Sequence, residues 1–264
     1  MPIVTVDGAR IPYRVEGSGP VLVLVHGTGA GSVTWESALG YFTDRYTVVL
    51  PDLSGSEAAE DDGGPLTAGL LAAQLAAVLA DLGRGPVDVL GYSLGAPVAA
   101  LTAAEHPGLV RRLIALSGFC GQQDPYVHNG LSVWRTLADR PEAFARWAMV
   151  TAFSRPYLNS LTPQAVETLA TAMRPTPNLL RQIDLDLTLD IRAALPRVQA
   201  PALVIGCALD ALVPVANARE LAAGIAGSRY AELDSGHVAR VERPAELAAL
   251  VDGFLAETAV GDAA

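Results

Sequence analysis

Short runs of apolar residues, rich in β-branched side chains, recur along the chain at 21–25, 47–50, 87–90, 113–116 and 202–205. The first reads Val21-Leu22-Val23-Leu24-Val25 without a polar break. A continuous run of this kind forms a strand buried on both faces, as in a parallel sheet covered by helices. A weaker run lies at 229–233, and two more strand patterns, at 3–6 and 11–15, flank the hairpin pair Asp7-Gly8. Between the strands fall helical patterns at 67–82, 93–105, 215–226 and 244–256. Gly83 and His106-Pro107-Gly108 stop two of them, while Pro214 and Pro244 sit where a first helical turn tolerates proline. This alternation predicts an α/β fold with a mostly parallel sheet and helices on both faces.

One region departs from the alternation. From 119 to 196 no strong strand appears, and prolines at 141, 156, 163, 175 and 177 divide the segment into short helices. The segment is too long for a single crossover. It is expected to be a helical cap at 119–196, inserted between a first core part at 1–118 and a second at 197–264. Its aromatic residues Trp134, Trp147 and Phe153 are expected to face an apolar substrate pocket. Elsewhere the acidic stretch Glu60-Asp61-Asp62 reads as a solvated surface turn.

Composition narrows the function. Of 264 residues, 51% are hydrophobic, enough for a sizeable core without disulfide or metal. Cys120 and Cys207 lack a metal-binding spacing and read as reduced, buried thiols. A net charge of −10 argues against nucleic acid or an anionic membrane as partner. All 18 basic residues are arginine, so neither Schiff-base chemistry nor a phosphate-loop lysine is available. No signal-peptide pattern and no bilayer-spanning apolar stretch is present, and a soluble, cytoplasmic protein is expected. Neither a metal nor an organic cofactor is called for, and the oligomeric state is not legible.

The chemistry centres on Gly91-Tyr92-Ser93-Leu94-Gly95, which fits the Gly-x-Ser-x-Gly nucleophile elbow. The motif alone is weak, but here it directly follows a strand pattern and opens a helical one, as the elbow requires. A serine needs a base to take its proton. Of the four histidines, His237 lies in a loop after the last strand, from which it can reach back over the sheet edge. His26 reads as a stabiliser of its own loop, His106 as a surface helix end and His128 as a solvated cap residue. Asp210, after the run at 202–205, is the candidate that orients the imidazole, with Asp124 as runner-up. The backbone N–H groups of Thr28, in His26-Gly27-Thr28-Gly29, and of Leu94 are candidate oxyanion donors.

With these residues in place the chain resembles the α/β-hydrolase superfamily along nearly its whole length. It is most similar to the small capped esterases, C–C bond hydrolases and cofactor-free haloperoxidase-like members. The matching positions are His26-Gly27, Pro51-Asp52-Leu53, Gly91 to Gly95, Asp210 and Gly236-His237. The resemblance implies an eight-stranded, mostly parallel sheet with a helical cap after the sixth strand. The family's usual Arg-Gly-His run after Asp-Leu is absent; the chain reads Ser54-Gly55-Ser56 instead. Substrate contacts are therefore not carried over from that loop. A serine at the elbow also sets the chain apart from the dehalogenases and epoxide hydrolases that use aspartate there.

The expected activity is hydrolysis of an ester-like bond (carboxylic ester, lactone or thioester) in a small apolar molecule, through an acyl-enzyme on Ser93. Carbon–carbon cleavage or perhydrolysis by the same triad is one alternative. A non-hydrolytic binding protein on the same fold is the other.

Overall fold

The computed structural model of the chain describes residues 1–29, 31–121 and 123–261. The strands are β1 (Ile3–Val6), β2 (Ala9–Gly17), β3 (Val21–Val25), β4 (Thr47–Pro51), β5 (Val87–Tyr92), β6 (Val110–Leu116), β7 (Ala202–Cys207) and β8 (Arg229–Leu233). They form one eight-stranded sheet in the order β1-β2-β4-β3-β5-β6-β7-β8. The β1–β2 and β2–β4 pairs are antiparallel, and the pairs from β4 onward are parallel.

The apolar runs divide by parity, as a pleated strand demands. Val21, Val23 and Val25 of β3 face a cluster that also holds Leu71 and Leu75 of α2 (Ala68–Asp81), Val98 of α3 (Gly95–Glu105) and Leu221 of α9 (Val215–Gly224). Leu22 and Leu24 face the opposite cluster, with Phe42 of α1 (Glu36–Thr43), Ala239 of α10 (Ala239–Glu242) and Val251 of α11 (Pro244–Gly261). Buried charge within these strands is paired: Asp88 of β5 lies against Arg111 and Arg112 of β6. Helices thus cover both faces, and the fold class read from the sequence is the one observed.

Among the described residues, five α-helices lie between β6 and β7: α4 (Pro125–Thr136), α5 (Pro141–Ala152), α6 (Arg155–Ser160), α7 (Pro163–Ala172) and α8 (Pro177–Asp186). The prolines mark starts rather than interruptions, because a first-turn N–H needs no helical partner. Four helices open on proline, and Asp124, Ser154, Thr162 and Thr176 cap four N-termini with side-chain oxygens. Val127, Leu131, Trp134, Phe144, Ala148, Leu179 and Ile183 form a small apolar cluster of their own inside this insertion.

Two expectations are corrected. The helix expected from 93 starts at Gly95, because Ser93 has φ +54° and cannot continue a helix. The acidic loop is not simply a solvated turn. Asp61 takes a two-pronged ion pair from Arg181 of α8, at 2.9 and 3.0 Å, with both side chains largely buried. Glu60 exchanges backbone hydrogen bonds with Arg10.

Candidate active site

The strand order reverses direction between β3 and β5, which places a crevice at their carboxyl ends, where ligands bind in open α/β sheets. The elbow after β5 and the glycine-rich loop after β3 both open there. The elbow's shape explains its glycines. A Cβ at Gly91 would run into the backbone of Gly95, and one at Gly95 would run into the carbonyl oxygens of Val25 and His26. A Cβ at Gly27 would meet the Ser93 side chain, so the loop after β3 lies directly against the serine.

The three side chains singled out for proton handling stand in line. His237 Nε2 is 2.9 Å from Ser93 Oγ, and His237 Nδ1 is 2.7 Å from Asp210 Oδ2. All three residues are buried. A carboxylate only accepts, so Nδ1 carries the proton and Nε2 offers its lone pair to the serine hydroxyl. The other oxygen of Asp210 accepts the N–H groups of Leu212 and Val213, at 2.9 and 2.8 Å, which fixes the carboxylate's orientation. The histidine loop is pinned as well. Ser117 Oγ donates to the His237 carbonyl at 3.2 Å, and Glu242 accepts the Gly236 N–H at 3.1 Å. Asp124 is elsewhere engaged, capping α4 and accepting from Asn217 Nδ2.

Neither the Thr28 nor the Leu94 N–H has a hydrogen-bond partner among the described residues. Two open donors beside a nucleophile suit a developing oxyanion. His26 has the supporting role expected of it. Its Nδ1 donates to the Gly27 carbonyl at 2.8 Å and its Nε2 accepts the Leu53 N–H at 3.1 Å; burial lowers its pKa and keeps the ring neutral. His106 and His128 are exposed, and neither lines the site. Cys120 and Cys207 are free and buried, with burial pushing both thiols up to about 12.

Above Ser93 and His237 lies a cavity of about 220 Å³ between the sheet edge and the inserted helices. Trp134 and Phe153 line it, with Leu131, Met149, Met173 and Val213. Trp147 does not. Ala145, Ala148, Met149 and Ala152 form the cavity-facing stripe of α5, and at 100° per residue Trp147 falls on the far side of that helix. It packs instead against the insertion's own apolar cluster. Two polar residues of the wall had no sequence motif to reveal them. Arg240 stacks its guanidinium 4.8 Å over the Tyr92 ring, which lies 5.2 Å from the His237 ring. Asp186 accepts the Thr28 hydroxyl at 2.6 Å, and burial raises its carboxyl to about 7.

Among the described residues no group of His, Cys, Asp or Glu side chains could hold a metal ion, and no helix is long and apolar enough to cross a membrane.

The chain is 37% identical over 258 residues to pyrrolizixenacetamide deacetylase of Xenorhabdus hominickii, covering 96% of this chain and 97% of that one. It is 28% identical to the putative carbamate hydrolase RutD of Azorhizobium caulinodans, covering 97% and 99%. The solved structure of the putative non-heme bromoperoxidase BpoC of Mycobacterium tuberculosis H37Rv superposes with a TM-score of 0.84 at 26% identity, covering 96% of this chain and 97% of that one. The model of the Alpha/beta hydrolase family matches residues 22–250, and the chain belongs to that family.

Proposed function

We propose that the protein is a serine hydrolase that cleaves an ester- or amide-like bond in a small, largely apolar substrate through an acyl-enzyme on Ser93. The observation that carries this reading is the continuous Ser93–His237–Asp210 hydrogen-bond chain at the floor of a largely apolar cavity. Ser93 Oγ attacks the carbonyl carbon while His237 Nε2 takes its proton; Asp210 stabilises the imidazolium, and the N–H groups of Thr28 and Leu94 hold the oxyanion. His237 then protonates the departing alcohol or amine. Water next attacks the acyl carbon and gives its proton to His237, which returns it to Ser93 as the acid leaves.

The helices α4–α8 act in this reading as a cap that shapes the pocket. A volume of about 220 Å³ lies below the ~300 Å³ at which drug-sized pockets begin, and supports a small acyl group. The deacetylase and carbamate hydrolase named among the relatives widen the expected bond from ester to amide and carbamate. The bromoperoxidase name among the neighbours makes hydrogen peroxide worth including as an alternative acyl acceptor.

The test combines Ser93→Ala with a panel of p-nitrophenyl esters and aryl amides carrying two to eight acyl carbons. Turnover is expected to fall at least ~10⁴-fold in the variant, with the shortest acyl groups preferred by the wild type. A fluorophosphonate should label the wild type at Ser93. Undiminished turnover in the variant, or a wild type that does not label, would overturn the assignment.

A further inference from the structure

Thr28, the residue whose N–H is one candidate oxyanion donor, is held from outside the sheet. Its hydroxyl donates to Asp186 Oδ2 at 2.6 Å, and the N–H of the next residue, Gly29, donates to Gln182 Oε1 at 2.8 Å. Gln182 and Asp186 are four residues apart on α8, hence neighbours on one face of the helix. Two consecutive residues of the loop after β3 are therefore gripped by two consecutive turns of an inserted helix. The geometry points to a role for this grip: we infer that Gln182 and Asp186 are positioning residues, which set the Thr28 amide at the oxyanion so that the hole is complete only when α8 is docked.

Several independent features support this. Gly29 has φ +133°, a conformation that side-chain-bearing residues rarely adopt, and the freedom of glycine that permits it leaves the loop's shape to be fixed by contacts. Gly55 leaves room for Gln182: a Cβ there would strike the glutamine side chain. The helix is secured to core loops at three further points, with Arg181 on Asp61 and on the Gly64 carbonyl, and Thr176 on Glu57. Asp186 itself is an expensive residue to keep. It is 4% exposed, and its Oδ1 is buried without a hydrogen-bond partner. A group held against its own solvation calls for a compensating role. Burial also keeps the acid largely protonated up to about pH 7, and a neutral carboxyl beside the hole does not repel a developing oxyanion as a carboxylate would.

This inference rests on the acyl-enzyme reading above, and its test separates the two. The variants are Asp186→Ala, Thr28→Val, which keeps the amide but loses the hydroxyl, their combination, and Asp186→Asn, which keeps an acceptor for Thr28. With p-nitrophenyl acetate, Asp186→Ala and Thr28→Val are each expected to lower kcat about 10- to 100-fold while KM moves less than about threefold, part of the ~10²- to 10³-fold attached to a whole oxyanion donor. The double variant should be no slower than the slower single one, since both break one contact, and Asp186→Asn should recover most of the lost rate. If Asp186→Ala does not fold, Thr28→Val alone decides the point, because it leaves Asp186 in place. An unchanged kcat in Thr28→Val, or losses that multiply in the double variant, would overturn the positioning role while Ser93 still labels with fluorophosphonate. Failure of the wild type to label would overturn the acyl-enzyme reading and this one with it.

Discussion

The sheet and the helical insertion are built by different means. In the sheet, each strand sends alternate side chains into two large clusters, so burial on both faces specifies the fold. The insertion has only a small cluster of its own, and its helices begin at prolines and side-chain caps. Leu185, Leu189 and Ile191 join one of the sheet's clusters, and four polar clasps fix the rest of its docking: Arg181 to Asp61, Gln182 to Gly29, Asp186 to Thr28, and Ser154 to Glu242. Burying a large apolar side chain is worth about 1.5–3 kcal/mol, against about 0.5–1.5 kcal/mol net for a typical hydrogen bond. The difference teaches that stability resides in the sheet, whereas the insertion is set by a few specific contacts and can govern rate and selectivity at little cost to folding.

Equivalent truncations in the two regions put this contrast at risk most directly. Leu24 and Ile183 are both fully buried, one in the sheet and one in the insertion. Leu24→Ala is expected to cost about 3–4 kcal/mol, since strands locked between two helical layers cannot close the cavity. Ile183→Ala is expected to cost about 2 kcal/mol, because it sits in a smaller cluster with fewer neighbours to lose. Urea melts of the two variants measure this, and equal losses would break the comparison.

A second contrast lies in how each region responds to pH. Asp186 holds its proton up to about pH 7 in the folded protein, whereas an unfolded aspartate releases it near ~3.9. Between those values the folded state binds more protons than the unfolded state, so this group makes stability fall as pH rises, and the fall ends above about pH 7. Thr28 is its hydrogen-bond partner, and no charged side chain forms an ion pair with it among the described residues; His237 and Arg240 share its cavity. Asp186→Asn removes the titration. Its stability relative to wild type should climb between pH 4 and 7, by on the order of a few kcal/mol, and then level off. Thermal melts across that range provide the measurement, and a pH-independent difference would show that the carboxyl is not held in its neutral form.

The same contrast decides what was legible in the sequence. The strands of the sheet, the elbow at Ser93 and the positions of Asp210 and His237 after their strands could be read because each rests on a local rule: an apolar run, a sterically required glycine, a loop at a strand's end. That the insertion is a run of short helices was legible from its prolines. Which helical faces meet the cavity was not, since that depends on how α5 and α8 dock, and docking is set by contacts more than a hundred residues apart in sequence, such as Asp186 with Thr28. Asp61 was unreadable for the same reason: nothing near Glu60-Asp61-Asp62 announces Arg181 as a partner. The start of α3 was missed because a serine with positive φ is a tertiary product of the elbow, and no residue preference signals it.

The smallest expected effect tests that last point at single-residue scale. Phe153 and Trp147 are both aromatic and both close to the end of α5, and sequence alone treats them alike. Phe153 lines the cavity and stacks on Tyr157, with centroids 5.4 Å apart, whereas Trp147 packs behind the cavity-facing stripe. Phe153→Ala removes apolar surface from the pocket and is expected to raise KM for four-carbon acyl esters by about 5- to 10-fold, equivalent to about 1 kcal/mol of lost contact. Trp147→Phe should leave KM within about twofold and lower stability by less than about 1.5 kcal/mol, as volume-tolerant core exchanges do. If Trp147→Phe shifted KM as much as Phe153→Ala does, α5 would have to present its other face to substrate. The stripe of Ala145, Ala148, Met149 and Ala152 would then belong to the insertion's core instead of the pocket.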